Sequence, residues 1–339
     1  MNVLLFLVLV GILVLIHEYG HYLQARLHKV KVEEFSIGFG PRVLSFERND
    51  TRFSIRALPI GGFVNLAGLD VDKPVDEEGD FQNKSWFSKF IILASGVIMN
   101  FLLAIFLLTI LFNWGIPSKI VPTGINSIVP GSPAAIAGLK PGDKIISIDQ
   151  KPVNSTEDVI NIIKGTDKSL VLDVERNGKI LSFTVTPRYD PNQKRRIIGI
   201  TMPTFLDERY PIFEAFIKAL EEFWAVIVGT LAAIWGLITG RLGVNSISGP
   251  VGLVKMTGAV SQMGFKAFLQ FMALLSIQWG LFNILPIPAL DGGRILFLIL
   301  GLWKKIRLSP EKENVIHYIG FLFLMILMII ITIGDIRRF

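Results

Sequence analysis

"LVLIHEYGHYLQ", Leu13 to Gln24, decides how this chain folds, because it closes a run that is apolar from Met1 to Ile16 apart from Asn2. At 1.5 Å per helical residue that run covers most of a hydrocarbon core of about 30 Å. His17 and His21 then stand one helical turn apart on one face, with Glu18 beside them. Two histidines at that spacing around a glutamate form the HExxH pattern, which holds a zinc ion and supplies a general base. Ionisable groups at membrane depth cost about 2.5 kcal/mol or more each and mark function. The run has no basic leader and no small-residue cleavage site, so it is expected to remain as a span and not to be removed as a signal peptide.

Composition agrees with a membrane chain. Of 339 residues, 51% are hydrophobic, none is cysteine, and the formal charge is +6. The absence of cysteine excludes disulfides, thiolate nucleophiles and thiolate metal sites, so a metal here must use His, Asp or Glu. Further spans are expected near Ile91–Trp114, Phe265–Leu285 and Val315–Ile333. The basic residues cluster in loops beside these spans, where anionic lipid headgroups are the simplest partner and nucleic acid is not implied.

Between the first two spans, Arg26 to Lys89 carries ten Lys or Arg residues, which places that loop on the cytoplasmic side. Within it "TRFSIRALPIGGFVNLAG" alternates and then meets Pro59, Gly61 and Gly62, a β-hairpin or strand-turn element, soluble or at membrane depth. Ile120 to Arg188 reads as a compact α/β module. "LVLDVER" and "ILSFTVT" flank Asn177-Gly178, a hairpin signal, and Ser155 with Asp158 predicts a capping box before "VINIIKG". With "VPGSPAAIAGLKPGDKIISIDQKPV" this order resembles a PDZ domain of the protease-associated, circularly permuted kind. Asp190 to Arg196 reads as a charged linker. Ile212, Phe213, Phe216, Ile217, Leu220 and Phe223 predict an interfacial amphipathic helix running into the uncharged "WAVIVGTLAAIWGLITG".

A catalytic zinc needs three protein ligands and an open position. Asp291, in "NILPIPALDGG", is the only acid between Glu222 and Glu311 and stands beside an apolar span, so a dication is its natural partner. His28 and His317 are alternatives.

"HEYGH", "GFGP", "SGVIMNF", the PDZ-like module and "NILPIPALDGG", in that order, resemble the intramembrane site-2 metalloproteases, most closely the bacterial branch that cleaves anti-sigma factors and signal-peptide remnants. The resemblance implies that His17, His21 and Asp291 are zinc ligands, that Glu18 is the general base, and that Asn283, Pro286 and Pro288 engage the substrate backbone. It implies transmembrane protein substrates, a PDZ domain that receives a peptide terminus, and a bacterial cytoplasmic membrane location. Two departures are visible: one PDZ domain where the best-known proteobacterial members have two, and Gln278 where many relatives have Asn.

The expected architecture is therefore an α-helical polytopic membrane protein with four transmembrane helices, a membrane-associated β-hairpin and an inserted extracytoplasmic α/β PDZ domain. Its parts are a first membrane half (1–114), the PDZ domain (115–190), a linker with interfacial or re-entrant helices (191–260) and a second membrane half (261–339). If the first span runs inward, His17 and His21 lie about 25 Å along it, near the cytoplasmic side. The Phe265 span must also run inward for Asp291 to reach that depth, so residues 224–240 are expected to lie in the interface or to dip without crossing. Lys304, Lys305 and Arg307 fit a cytoplasmic loop, while Arg337 and Arg338 do not. The rival reading is a non-enzymatic PDZ-bearing membrane adaptor with a structural metal site.

Overall fold

A computed structural model describes residues 2–69, 78–191, 194–202, 204–243, 248–302 and 310–338. The cluster Lys304, Lys305 and Arg307 lies outside the described residues. Along the chain come α1 (Asn2–Leu27), β1 (Val32–Arg48), β2 (Thr51–Leu66) and α2 (Trp86–Trp114). An inserted stretch holds β3 (Ile116–Val121), β4 (Ser127–Ile128), α3 (Pro133–Ile136), β5 (Lys144–Ile148), β6 (Lys151–Pro152), α4 (Thr156–Lys164), β7 (Leu170–Arg176), β8 (Lys179–Val185), β9 (Arg188–Asp190), β10 (Arg195–Ile197), β11 (Ile200–Thr201) and β12 (Thr204–Glu208). Then follow α5 (Ile212–Ile238), α6 (Pro250–Gln262), α7 (Phe265–Ile284), α8 (Asp291–Leu300) and α9 (Pro310–Arg338). Two compact units result, one of Met1–Leu111 with Pro211–Phe339, the other Phe112–Tyr210.

In the first unit α1 and α2 run antiparallel and touch closely at glycine. A Cβ on Gly20 would lie 2.5 Å from the Ser95 carbonyl oxygen and 2.8 Å from Met99 Cγ, so any larger residue would push the helices apart. Ala25, Val30, Val32, Leu66, Phe81, Ile92, Leu93 and Ile295 form a buried cluster that ties the end of α1 to the β element and to α8. The Trp86 indole N–H donates to the Leu298 carbonyl at 3.1 Å.

The β element is more than a hairpin. β1 and β2 pair antiparallel with several register shifts, so residues 32–37 meet 62–66 on one side and 52–55 on the other, while 44–48 pair back onto 51–55. Glu34 sits buried between the segments and accepts from Arg42 Nη2 (2.7 Å), Arg56 Nη2 (2.8 Å) and Ser54 Oγ (2.5 Å). Burial opposes its ionisation, but these donors outweigh that and hold its carboxyl down at about 2.

Five helices among the described residues are long and apolar enough to cross a membrane: α1, α2, α5, α7, and α9 from Lys312 onward. The sequence reading counts four. The additional one is α5, where the amphipathic turn and the uncharged stretch fuse into a single 27-residue helix. Its buried face is Ala215, Ala219, Phe223 and Ile227, while Ile212, Phe213 and Phe216 are exposed. The Phe223 ring packs edge-on against Phe101 of α2 at 5.1 Å, because the small Ala215 and Ala219 let this face approach a neighbour. α6 then lies by the start of α1, where a Cβ on Gly258 would meet the Asn2 side chain at 2.3 Å. It also lies by the end of α9, where the Gly252 N–H donates to Asp335 Oδ2 at 2.8 Å.

The inserted unit has a core of Ile125, Ile145, Ile148, Val159, Leu170, Leu172, Val174 and Val185 under a four-stranded sheet ordered β6-β5-β7-β8. β7 and β8 join through Asn177 (φ 52°) and Gly178 (φ 75°), the left-handed pair that a type I′ turn demands. Ser155 caps α4 with the reciprocal Asp158 bond of a capping box. Instead of a charged linker, the chain after Arg188 forms β9 and β10, and β11 and β12 pair back onto β4 and β3. These returning strands carry the unit on to Tyr210.

Candidate metal centre

The helical spacing read from "HEYGH" has a direct structural outcome. His17 and His21 are buried on α1, and their rings meet edge-on at 4.9 Å. Asp291 arrives from the other end of the chain. The turn before α8 folds so tightly that a Cβ on Gly292 would lie 2.2 Å from the Ile284 carbonyl oxygen, and this places Asp291 in the first turn of α8.

His17 Nε2 lies 3.0 Å and His21 Nε2 3.3 Å from Asp291 Oδ2, and the two nitrogens are 3.3 Å apart. A tetrahedral zinc with nitrogen and oxygen ligands at about 2.0 to 2.2 Å separates its ligand atoms by roughly 3.3 Å. The triangle therefore fits one zinc ion with a fourth position free. Asp291 Oδ2 is buried and has no hydrogen-bond donor among the described residues, as expected of an oxygen that faces a cation. His, His and carboxylate is the donor set of a catalytic zinc site.

The surroundings complete the fit. His21 Nδ1 lies 2.8 Å from the Ile92 carbonyl, which fixes the proton on that nitrogen and turns Nε2 toward Asp291. His17 Nδ1 lies 3.4 Å from the Asn100 side-chain amide, and Asn100 is fully buried. Gly96 leaves room for the cluster, since a Cβ there would stand 2.4 Å from His21 Nε2 and 2.7 Å from His17 Nε2. The Ser276 hydroxyl of α7 donates to the Asn100 carbonyl at 2.7 Å and ties α7 to α2 at this level.

Glu18 is half-buried on the neighbouring face, near the Val64 backbone amide. A Cβ on Gly62 would lie 3.3 Å from Glu18 Cγ, so the chain at Gly62 runs directly over this side chain. Among the other predicted positions, Asn283 ends α7 half-buried, Pro286 is exposed and Pro288 packs against Gly320 of α9. These three lie on the segment leading to Asp291 and are not among the clustered ligand atoms. His28 and His317 do not join the cluster either. Sequence reasoning missed Gly96 and Asn100. For Asn100 the signal was present in "SGVIMNF", an amide in the middle of an apolar stretch.

Residues 5–327 match the model of peptidase family M50. The regulator of sigma-W protease RasP of Bacillus subtilis is 31% identical over 418 residues, covering 99% of this chain and 98% of that protein. The zinc metalloprotease RasP of Geobacillus kaustophilus is 30% identical over 419 residues, covering 100% and 98%. Among solved structures, the PDZ domain of the SdrC-like protein of Listeria monocytogenes aligns with 25% of this chain and 92% of that one, at 20% identity and a TM-score of 0.23. The family match and both relatives extend over nearly the whole chain, and the zinc chemistry of their names accords with the donor set assembled above: the chain belongs to peptidase family M50 and is a zinc metalloprotease.

Proposed function

We propose that His17, His21 and Asp291 hold the zinc of this protease, that Glu18 is its general base, and that it cleaves transmembrane segments of membrane proteins in regulated intramembrane proteolysis. The observation that carries this reading is the triangle of ligand atoms, with edges of 3.0, 3.3 and 3.3 Å and a carboxylate one residue away on the same helix. When bound, zinc lowers the pKa of a coordinated water and polarises the scissile carbonyl. Glu18 accepts the proton of the attacking water and passes it to the leaving nitrogen. The Asn100 side-chain amide, 3.4 Å from His17 Nδ1, packs against that ring and orients it.

A peptide bond within a helix has its carbonyl engaged four residues on, so the substrate must be unwound before it is cut. Residues 62–66, the outer segment beside Glu18, offer backbone groups for an added strand. Asn283, Pro286 and Pro288 supply the opposing side. Prolines free the backbone around them from helical pairing, and α7 ends at Ile284 for that reason.

Chemistry and contacts support an assignment of sides. The basic loop after α1 belongs to the cytoplasm, so the metal centre lies toward that side. α6 meets the start of α1 and the end of α9, so α7 begins on the outer side and carries Asp291 inward. α5 and the residues after it then make no net crossing, and four helices cross. The inserted unit stands outside as a PDZ domain. Its groove, between Thr156 and Ile160 of α4 and Ile198, Ile200 and Met202, accepts an extended peptide terminus. The cytoplasmic membrane of a bacterium is the setting, and anti-sigma factors and signal-peptide remnants are the substrates.

The variant Glu18→Gln, purified and given a model transmembrane substrate, tests the reading. It should keep zinc and lose cleavage by about 10² to 10⁴-fold. Undiminished cleavage would reject Glu18 as the base and favour an adaptor with a structural metal.

A further inference from the structure

The loop that delivers Asp291 is held in a conformation its own residues resist. Ala289 has φ 81°, a left-handed value at which a Cβ crowds the backbone. Such a conformation persists only where neighbours fix it. The neighbour is α9. The Ala289 N–H donates to His317 Nδ1 at 2.8 Å, and one turn along, a Cβ on Gly320 would lie 2.5 Å from the Pro288 carbonyl oxygen. His317 and Gly320 share a helix face and together grip Pro288 and Ala289.

The imidazole can accept at Nδ1 only if that nitrogen carries no proton, so His317 is the neutral tautomer with its proton on Nε2. Nε2 is buried without a hydrogen-bond partner among the described residues, with Glu313 Oε1 3.9 Å away and the Phe297 ring at 5.4 Å. A surface histidine at the start of a span would leave both nitrogens to water. This one gives Nδ1 to the Asp291 loop and keeps Nε2 out of solvent.

We propose that His317 is a positioning residue for the metal centre: its Nδ1 holds the Ala289 N–H, maintains the left-handed turn, and so aims Asp291 at His17 and His21. The proposal rests on the reading of Asp291 as a zinc ligand. Without the acceptor, Ala289 relaxes toward negative φ, the start of α8 rotates, and the carboxylate leaves the triangle. Because only the Nδ1 position matters, an asparagine at 317 can replace the imidazole, since its Oδ1 takes the place of Nδ1. A glutamine places its polar group near Nε2 and cannot.

The test is zinc affinity of the full chain in nanodiscs, measured by chelator competition. H317L and H317Q should bind zinc about 10-fold or more weakly, the usual cost of losing an outer partner of a metal site. H317N should keep wild-type affinity. A289G, which takes φ 81° without strain, should restore part of the loss in the H317L background. Wild-type affinity in H317L, or equal affinities in H317N and H317Q, would overturn the proposal. If H317L does not fold, the two amide variants decide between the outcomes. D291N separates the two readings: zinc retained in D291N rejects the ligand assignment, whereas zinc lost in D291N but kept in all His317 variants rejects the clamp alone.

Discussion

Two buried aspartates, one in each unit, show how a fold treats a charge it needs for structure and one it needs for chemistry. Asp143 of the inserted unit accepts from Arg176 Nε (2.6 Å), Arg176 Nη2 (2.7 Å) and the Lys140 N–H (2.8 Å). Both oxygens are satisfied and a permanent cation neutralises the group. Asp291 faces two imidazoles and leaves Oδ2 without a donor among the described residues. Burial opposes ionisation of Asp143, yet the Arg176 guanidinium beside it holds its carboxyl below the usual range. For Asp291 the counter-charge we propose is a metal ion. A carboxylate with all its partners in the chain is structural, and one whose partner must come from solution is a site.

Substituting each aspartate should break the comparison in opposite ways. Asp291→Ala should abolish cleavage and zinc binding while leaving the melting of the inserted unit unchanged, measured by metal analysis and calorimetry. Asp143→Ala should do the reverse. Removing one partner of a buried ion pair costs about 3 to 5 kcal/mol, so the inserted unit should melt early while the zinc content stays intact. Zinc lost with Asp143→Ala would contradict a purely structural role for that carboxylate.

Smaller effects sharpen the contrast. Asn100→Leu should weaken zinc binding by about 10 to 100-fold in chelator competition, through the His17 ring alone. The mildest expectation concerns acid. A carboxyl whose folded pKa is depressed adds stability above its unfolded value of about 3.9 to 4.3, and that stability is lost as pH falls through the folded value. For Glu34, held at about 2, the β element should lose this contribution progressively as pH falls from about 4.3 to about 2. Circular dichroism between pH 5 and 2 should show a gradual loss in wild type that a Glu34→Gln variant lacks.

Much of this was legible in the sequence for definite reasons. A four-residue histidine spacing survives into three dimensions because a helix fixes it, and Asp291 stood out because an acid beside an apolar span needs a partner. The Asn177-Gly178 turn and the Ser155 cap follow from local backbone chemistry. What was hidden depends on tertiary contact. No pattern within "LITGRLG" tells whether α5 lies flat or packs, whereas Phe223 against Phe101 does. β9 and β10 are short and charged and pair only with each other, so Asp190 to Arg196 reads as a linker, and β11 and β12 pair with strands far back in the chain. Gly96 and His317 carried no local signal of their role, since one matters for the side chain it lacks and the other for a backbone amide 28 residues away.

Zinc K-edge absorption of the intact protein in nanodiscs probes the central claim most directly, because the chain has four histidines and no cysteine. The expected first shell is two imidazole nitrogens with carboxylate and water oxygens at about 2.0 to 2.2 Å. A shell with three or more imidazoles would bring in His28 or His317, displace Asp291, and contradict the account.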